Sequence, residues 1–450
     1  MFSREILHDL NNWKEKNDRK PLILRGARQV GKTTLVNMLA ESFDQYVYLN
    51  LERPEDLGIF DPSRPFQDII AAIFFLKGKS RHIKSTLIFI DEIQNSSVAV
   101  GCLRYFYEDT PDIHVIAAGS LLESLIDNRI SFPVGRVEYM ALHPCSFSEF
   151  LSALGETGSL EILQQFPVPD YAHDQLLRLF NLYTLIGGMP EVIKNYSLNR
   201  DLTLLSPIFD SLIVSYMDDV EKYARNPMLL QVIRHIIGSA FQHFGSRITF
   251  ERFGNSNYRS REVAEAFRTL EKSMLLQLVY PTESPMLPLT PNYRKSPKLI
   301  MLDTGLVNYV SKIQKDVFTA TDLTEVYKGR VAEHIVGQEL MAKEISVLSK
   351  LNFWTREQKN SQAEVDFIVL LDGNLIPVEV KSGGSGKIKS LKMFMDLAPG
   401  KIAVRFWSGK MSVEKMHSMN HKPFILINLP LYLAVNIREI LHKIIDSEPE

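Results

Sequence analysis

The sequence predicts a multidomain α/β protein. A parallel sheet with helices on both faces comes first, a helical middle follows, and a second α/β domain closes the chain. Three observations predict this order. The chain has 450 residues, which favours two to four domains over one. Over the first 140 residues or so, runs rich in Ile, Val and Leu alternate with helical stretches, the pattern of buried parallel strands. Near the other end, EVDFIVLLDGNLIPVEVKS (Glu364 to Ser382) reads as two apolar strands around a Gly-Asn pair.

Composition narrows the class. Apolar residues make up 45% and charged residues 23%, which predicts a globular, well-cored chain. A net charge of -2 excludes a chain that binds nucleic acid through overall charge. The charge is uneven, however. Val220 to Ile300 holds 12 Lys/Arg against 6 Asp/Glu, a local +6, leaving -8 elsewhere. Two cysteines, Cys102 and Cys145, form no framework of pairs and point to a reducing compartment. The start, MFSREILHDLNNWKEKNDRK, has no apolar leader core. The most membrane-like run, ILINLPLYLAV (Ile425 to Val435), is too short to span and contains Asn428 and Pro430. The expectation is a soluble cytoplasmic protein with no membrane contact.

The first domain is expected to carry strands at PLILR, YVYLNL, TLIFIDE and IHVIAAGS, with a helix from Lys32 to Phe43. From Pro144 to about Asp219 the pattern is helical, broken at Gly187 and Gly188. The basic stretch then offers two helices, MLLQVIRHIIGSAF and SREVAEAFRTLEKSM. A strand LLQLVY and a Pro-rich loop come next, an order that resembles a winged helix. KLIMLD opens the last domain.

The first domain's chemistry is the most specific. Gly26-Ala27-Arg28-Gln29-Val30-Gly31-Lys32-Thr33 fits G-x-x-x-x-G-K-[ST], with a strand before it and a helix after. The glycines permit a tight turn whose backbone N–H groups, with those at Thr33 and Thr34, face phosphate oxygens. Lys32 reaches the β- and γ-phosphates of ATP and Thr33 holds Mg²⁺. TLIFIDE ends in Asp91-Glu92 at the carboxyl edge of a strand, where such sheets place ligands. Asp91 is read as the second Mg²⁺ residue and Glu92 as the base for the attacking water. Ser120 is either a γ-phosphate sensor or a turn serine. Arg136 is either an arginine finger, in cis or in trans from a homo-oligomer neighbour, or a surface arginine.

The C-terminal hairpin holds three charges in an apolar setting. With a turn at Gly373-Asn374, Asp372 faces Leu375, Ile368 lies opposite Glu379, and Asp366 lies opposite Lys381. Asp366, Glu379 and Lys381 then share one face, and Val365, Phe367, Val378 and Val380 the other. Two carboxylates and a lysine suit Mg²⁺ binding and activation of a water. They also suit a partly buried ion pair. Glu333, at the border of the apolar face of KGRVAEHIVGQELM, is a third acid for the same cavity. Trp354, Arg356, Glu357 and Gln358 are expected to line it. An acid on a helix, Asp on a strand and Glu-x-Lys on the next strand resembles the core of PD-(D/E)XK nucleases.

Taken together, RGARQVGKTTL, IFIDEIQ, GSLLES, GRVEYMALHPCSFSEFL, GGMPEVI, SPKLIMLDTGL, KGRVAEHIVGQEL and AEVDFIV…PVEVKS resemble a broad prokaryotic family. These are AAA-like P-loop ATPases, distantly similar to STAND and origin-recognition ATPases, with a C-terminal domain of unknown function. The resemblance implies a P-loop domain over 1–143, a helical lid over 144–219, a winged-helix-like domain over 220–298 and a restriction-endonuclease-like domain over 299–450. It implies ATP and Mg²⁺ as cofactors. Two functions follow as expectations. One is an ATPase whose nucleotide state controls a DNA-acting module, contacting DNA through the basic segment. The other is an ATP-dependent signalling or scaffold protein whose nuclease-like fold is silent.

Overall fold

The structure is a computed structural model and describes residues 2–119, 133–221, 224–312, 329–358, 361–383 and 388–447. Ser120 and the LLES that follows it lie outside the described residues. The four expected strands form as β1 (Leu22–Arg25), β2 (Gln45–Asn50), β3 (Thr86–Asp91) and β4 (His114–Gly119), joined by β5 (Glu138–Ala141). All neighbours are parallel, in the order β2-β3-β4-β1-β5. β3 is buried at every position, which explains its unbroken apolar run. Helices cover both faces: α1 (Leu7–Lys14) and α2 (Lys32–Ala40) with one core cluster, α3 (Phe66–Leu76) and α4 (Ser97–Asp109) with the other.

The middle is helical, as expected, with α5 (Phe147–Leu154), α6 (Thr157–Leu163), α7 (His173–Ile186), α8 (Pro190–Asn199) and α9 (Ser206–Glu221). Two helices of the basic stretch follow, α10 (Pro227–Ala240) and α11 (Ser260–Lys272). They lead into β6 (Leu276–Val279), which pairs antiparallel with β8 (Lys298–Met301). The loop between them is not free. Its β7 (Pro281–Thr282) pairs with β9 (Phe353–Gln358), and the Trp354 indole N–H donates to the Glu283 carbonyl at 3.0 Å. The expected boundary at 298/299 therefore falls inside β8.

Helix α12 (Thr304–Val310) and helix α13 (Arg330–Ala342) precede the last sheet. β9 pairs with β10 (Ser361–Val365). β11 (Phe367–Leu371), β12 (Asn374–Val380), β13 (Ile402–Trp407), β15 (Pro423–Pro430) and β14 (Ser412–His417) form a mixed sheet in that order, with α14 (Lys389–Leu397) packed on it. The run Ile425 to Val435 is the interior strand β15 and the turn after it, buried on both sides. No helix among the described residues is long and apolar enough to cross a membrane.

Sequence motifs far apart in the chain meet in a buried polar junction. The Asp303 carboxylate accepts from the Gly188 and Leu306 amides at 2.5 and 3.0 Å. A Cβ on Gly187 would lie 2.3 Å from Asp303 Oδ1, and one on Gly305 would lie 2.0 Å from the Ile186 carbonyl, so only glycine fits this seam. Below it, Glu339 accepts from the Tyr183 hydroxyl at 2.7 Å and from the Phe147 amide at 3.2 Å. Burial raises the Glu339 carboxyl to about 8, with those two donors opposing. A carboxyl raised on folding holds its proton better in the folded chain, so its contribution to stability is lost as pH climbs from about 4.5 towards 8. Glu339→Gln is expected to make the fall of unfolding free energy between pH 5.5 and 8 shallower by up to about 1.4 kcal/mol per pH unit, the value for one proton. Urea titrations at the two pH values check it; an unchanged slope refutes it.

Candidate functional site

The glycine-rich turn sits at the carboxyl edge of β1 and opens α2. Gln29 and Gly31 take positive φ of 64° and 97°, which curls the loop. A Cβ on Gly26 would lie 2.7 Å from the Leu142 carbonyl, which fixes a glycine there. Ala27 and Val30 are buried under the loop, whereas Gln29 and Thr34 face solvent. The Arg4 guanidinium clamps the loop from below, donating to the Val30 carbonyl at 3.0 Å and pairing with Glu149 at 2.9 Å.

Four predicted residues converge over this loop. The Lys32 ammonium donates to the Gly26 and Ala27 carbonyls, both at 2.9 Å. Burial pushes its pKa down, opposed by Glu92 and Asp91. The Thr33 hydroxyl donates to Asp91 Oδ2 at 2.7 Å, so the pair is already aligned to share a hard cation. Tyr48 also donates to that oxygen, at 3.3 Å. Glu92 occupies a left-handed backbone position, φ 54° and ψ 42°, which turns its side chain away from the strand. Its carboxylate accepts from Gln94 Nε2 at 2.5 Å. Burial raises its pKa, and Lys32 opposes that.

The helical segment closes over the same loop. Arg28 pairs with Asp219 of α9 at 2.7 Å, and the Tyr216 hydroxyl donates to the Arg28 carbonyl at 3.2 Å. Arg136, by contrast, precedes β5 and pairs with Glu108 at 3.1 Å. Leu22 aligns with Glu138 and Arg25 with Ala141, so Arg136 lies at the edge of the sheet opposite the loop. This corrects the reading of a finger in cis: a strand length separates it from its own chain's phosphate turn.

At the hairpin the expected register is corrected. Leu371 pairs with Asn374 and Ile368 with Pro377. The turn is Asp372-Gly373, whose φ of 47° and 77° match the strand twist better than a Gly-Asn turn one residue on. The shift is two residues, so the side-chain faces hold. Extending the register puts Glu379, not Lys381, level with Asp366. Asp366 lies at a bend between β10 and β11, and Val365 accordingly joins a different core cluster from Phe367. Asp366 Oδ2 accepts from the Val380 amide at 2.8 Å, and Lys381 donates to Glu379 Oε1 at 2.5 Å. Glu379 Oε2 is buried with no hydrogen-bond partner. Burial, then Asp366, pushes the Glu379 carboxyl up.

A residue outside the expected set sits at the centre. The Lys298 ammonium is buried and lies 2.5 Å from Glu333 Oε1, 2.8 Å from Glu364 Oε1 and 3.7 Å from Asp366 Oδ1. It also lies 4.7 Å from the Phe353 ring centroid. Burial alone would lower its pKa; Glu333, Asp366 and Glu364 outweigh that, and the net shift is upward. Among the described residues no group of three or more His, Cys, Asp or Glu side chains is placed to hold a metal ion. The acids here are arranged around an ammonium. Trp354 is in the core, and Glu357 pairs with Arg247 and Lys295 at 2.5 and 2.9 Å.

Comparison with known proteins bears on the first site. No curated protein matches the sequence. Residues 18–151 match the family model described as an AAA domain. The amino-terminal domain is thus similar to AAA domains of P-loop ATPases. Residues 177–317 and 328–430 match two domains of unknown function, DUF8612 and DUF4143. Among solved structures the chain is similar to the Walker-type ATPase PABY2304 of Pyrococcus abyssi, at 14% identity and TM-score 0.45 over 69% of this chain and 96% of that one. It is also similar to the Aeropyrum pernix Orc1 protein in complex with DNA, at 14% identity and TM-score 0.30 over 69% and 93%.

Several residues that shape the two sites went unread in the sequence. Arg4, Tyr216 and Asp219 come from outside the motif and carry no spacing signal. Lys298 stands in SPKLIML, where its position beside three apolar residues of a strand was the available clue.

Proposed function

We propose that this protein binds ATP with Mg²⁺ and hydrolyses it as a conformational switch, and that its C-terminal nuclease-like domain is held in a form that does not cut. The ATPase part is supported by the meeting of Lys32, Thr33, Asp91 and Glu92 on one edge of the AAA sheet. The loop amides and the start of α2 take the phosphates. Lys32 exchanges its two loop carbonyls for phosphate oxygens. Thr33 and Asp91 hold Mg²⁺, which supplies charge neutralisation on the phosphates when bound. Glu92 orients the water and takes its proton. Arg136 is reserved for a neighbouring copy, which makes a homo-oligomer part of the proposal. A reducing cytoplasmic setting accords with Cys102 and Cys145, both buried as free thiols.

One observation favours the silent reading over the cutting one: the buried Lys298 ammonium among Glu333, Glu364 and Asp366. A protein cation stands where a metal-dependent cleavage would need its ion. Wild-type protein incubated with supercoiled plasmid and Mg²⁺ or Mn²⁺, with or without ATP, is expected to leave the plasmid intact. Nicking that disappears in both Asp366→Ala and Lys381→Ala would overturn the reading.

DNA contact is proposed for the winged-helix-like segment, on a smaller surface than its +6 charge suggests. Arg247, Lys295 and Lys298 are engaged by acids of the same chain. Arg259 and Arg261 are exposed at the start of α11. The Arg259→Glu/Arg261→Glu double variant is expected to lower the slope of log affinity against log salt by about 2. A wild-type affinity that is flat across moderate salt would remove DNA from the proposal.

A further inference from the structure

The phosphate loop carries a guanidinium of its own. Arg28 follows Ala27, whose carbonyl accepts from the Lys32 ammonium at 2.9 Å. Its side chain reaches two acids from outside the loop, Asp219 at 2.7 Å and Glu52, just past β2, at 3.5 Å. The Asp219 side chain is 7% exposed and that of Glu52 41%, so the contact to Asp219 is the strong one. Tyr216, one turn before Asp219, donates to the Arg28 carbonyl at 3.2 Å. The Arg28 backbone is thus fixed, while its partly exposed guanidinium has room to rotate.

The same guanidinium feels the catalytic groups. Burial alone would lower its pKa; Asp219, then Glu92 and Glu52, outweigh that, and the net shift is upward. The charge of Arg28 also reaches Lys32. In an ATPase, the base stands beside the attacked γ-phosphorus and the loop lysine beside the β- and γ-phosphates. A guanidinium within reach of both charges lies on the γ side of the site. Charge that builds on the γ-phosphoryl oxygens needs a cation there. Arg136 lies a strand length away at the opposite edge and does not supply it within one chain. A terminal phosphate carries more charge than one carboxylate and offers the guanidinium fork two oxygens. ADP lacks that phosphate and leaves the contact to Asp219 unchallenged.

We propose that Arg28 is a catalytic residue kept latched: without a γ-phosphate its guanidinium is held by Asp219, and the γ-phosphate of ATP draws it away. This rests on the ATPase function proposed above. No bond to Arg28 forms or breaks. The water oxygen joins the γ-phosphorus, its proton passes to Glu92, and ADP departs with the electron pair of the broken bond. Arg28 neutralises the charge on the γ oxygens. Asp219 stands in the last turn of α9, so the exchange also tells the helical segment which nucleotide is bound.

The test uses the full chain with Mg²⁺. Phosphate release from ATP is measured, together with the affinities for ADP and for the non-hydrolysable β,γ-imido analogue of ATP. Arg28→Ala is expected to slow turnover about 10³-fold. It should weaken the imido analogue about tenfold or more and ADP far less. Arg28→Lys keeps the charge but not the fork and should recover only part of the turnover. Asp219→Asn removes the competing carboxylate and should tighten the analogue, relative to ADP, about threefold. In Arg28→Ala/Asp219→Asn that gain should shrink to less than about twofold, because Asp219 acts through Arg28. The double variant also removes the buried carboxylate that Arg28→Ala leaves without its guanidinium, so it serves where the single variant folds poorly. Wild-type turnover in Arg28→Ala, an equal loss of the analogue and ADP, or an analogue weakened by Asp219→Asn overturns the proposal and leaves the ATPase function standing. A wild-type chain that binds neither nucleotide overturns both.

Discussion

Glu92→Gln is expected to cut ATP turnover by about 10²–10⁴-fold while nucleotide binding is retained. The amide keeps the size of the side chain and can keep the contact to Gln94, so the left-handed turn after β3 should survive. What it removes is the ability to accept a proton. The surroundings of Glu92 suit a base, because burial raises the carboxyl's pKa and the nearby Lys32 limits the rise. A base needs its proton off, so wild-type turnover should fall on the acid side with an apparent pKa above that of a free glutamate. Lys32→Ala is the contrast, because it should lose binding and turnover together. Phosphate release and binding of a fluorescent ATP analogue, measured side by side, decide it. Turnover within twofold of wild type in Glu92→Gln would remove Glu92 as the base.

The amino-terminal domain was legible in the sequence because its chemistry is local. The loop, its strand and its helix are one contiguous stretch, and Asp91-Glu92 ends a strand whose apolar run is unmistakable. The hairpin was legible to within two residues. Faces depend on parity, so the sharing of one side by Asp366 and Glu379 survived a wrong turn. What could not be read was long-range. Lys298 lies 35 residues from Glu333 and 66 from Glu364, and nothing local shows that a lysine opening a strand is buried. The free charge of the basic segment could not be read for the same reason: composition counts charges but not their partners, and Arg247, Lys295 and Lys298 face acids inside the chain. Beyond Asn420 the chain packs into the fold, with β15 an interior strand and Tyr432 close to His173.

Lys298→Met carries the second large effect, an expected loss of about 3–5 kcal/mol of stability, because it leaves Glu333 and Asp366 buried without their counter-ion. The pH dependence identifies the cause. In wild type, Lys298 has a pKa raised on folding, so its contribution is fully present below the value of a free lysine and is lost only as pH rises through the folded value. In the variant the carboxyls have no cation, and burial raises them further. Their folded forms then hold protons that the unfolded chain releases, so the deficit should be small near pH 5 and grow towards pH 8. Adding Glu333→Gln to Lys298→Met should recover part of the loss at pH 8 and little at pH 5. Urea midpoints at both pH values measure this; a deficit below about 1 kcal/mol, or one equal at the two pH values, would show that the ammonium is not the counter-charge of these acids. A lysine whose removal costs this much is not readily displaced by a metal ion, and that is the physical reason to expect the hairpin to hold the two halves of the C-terminal region together rather than to cut.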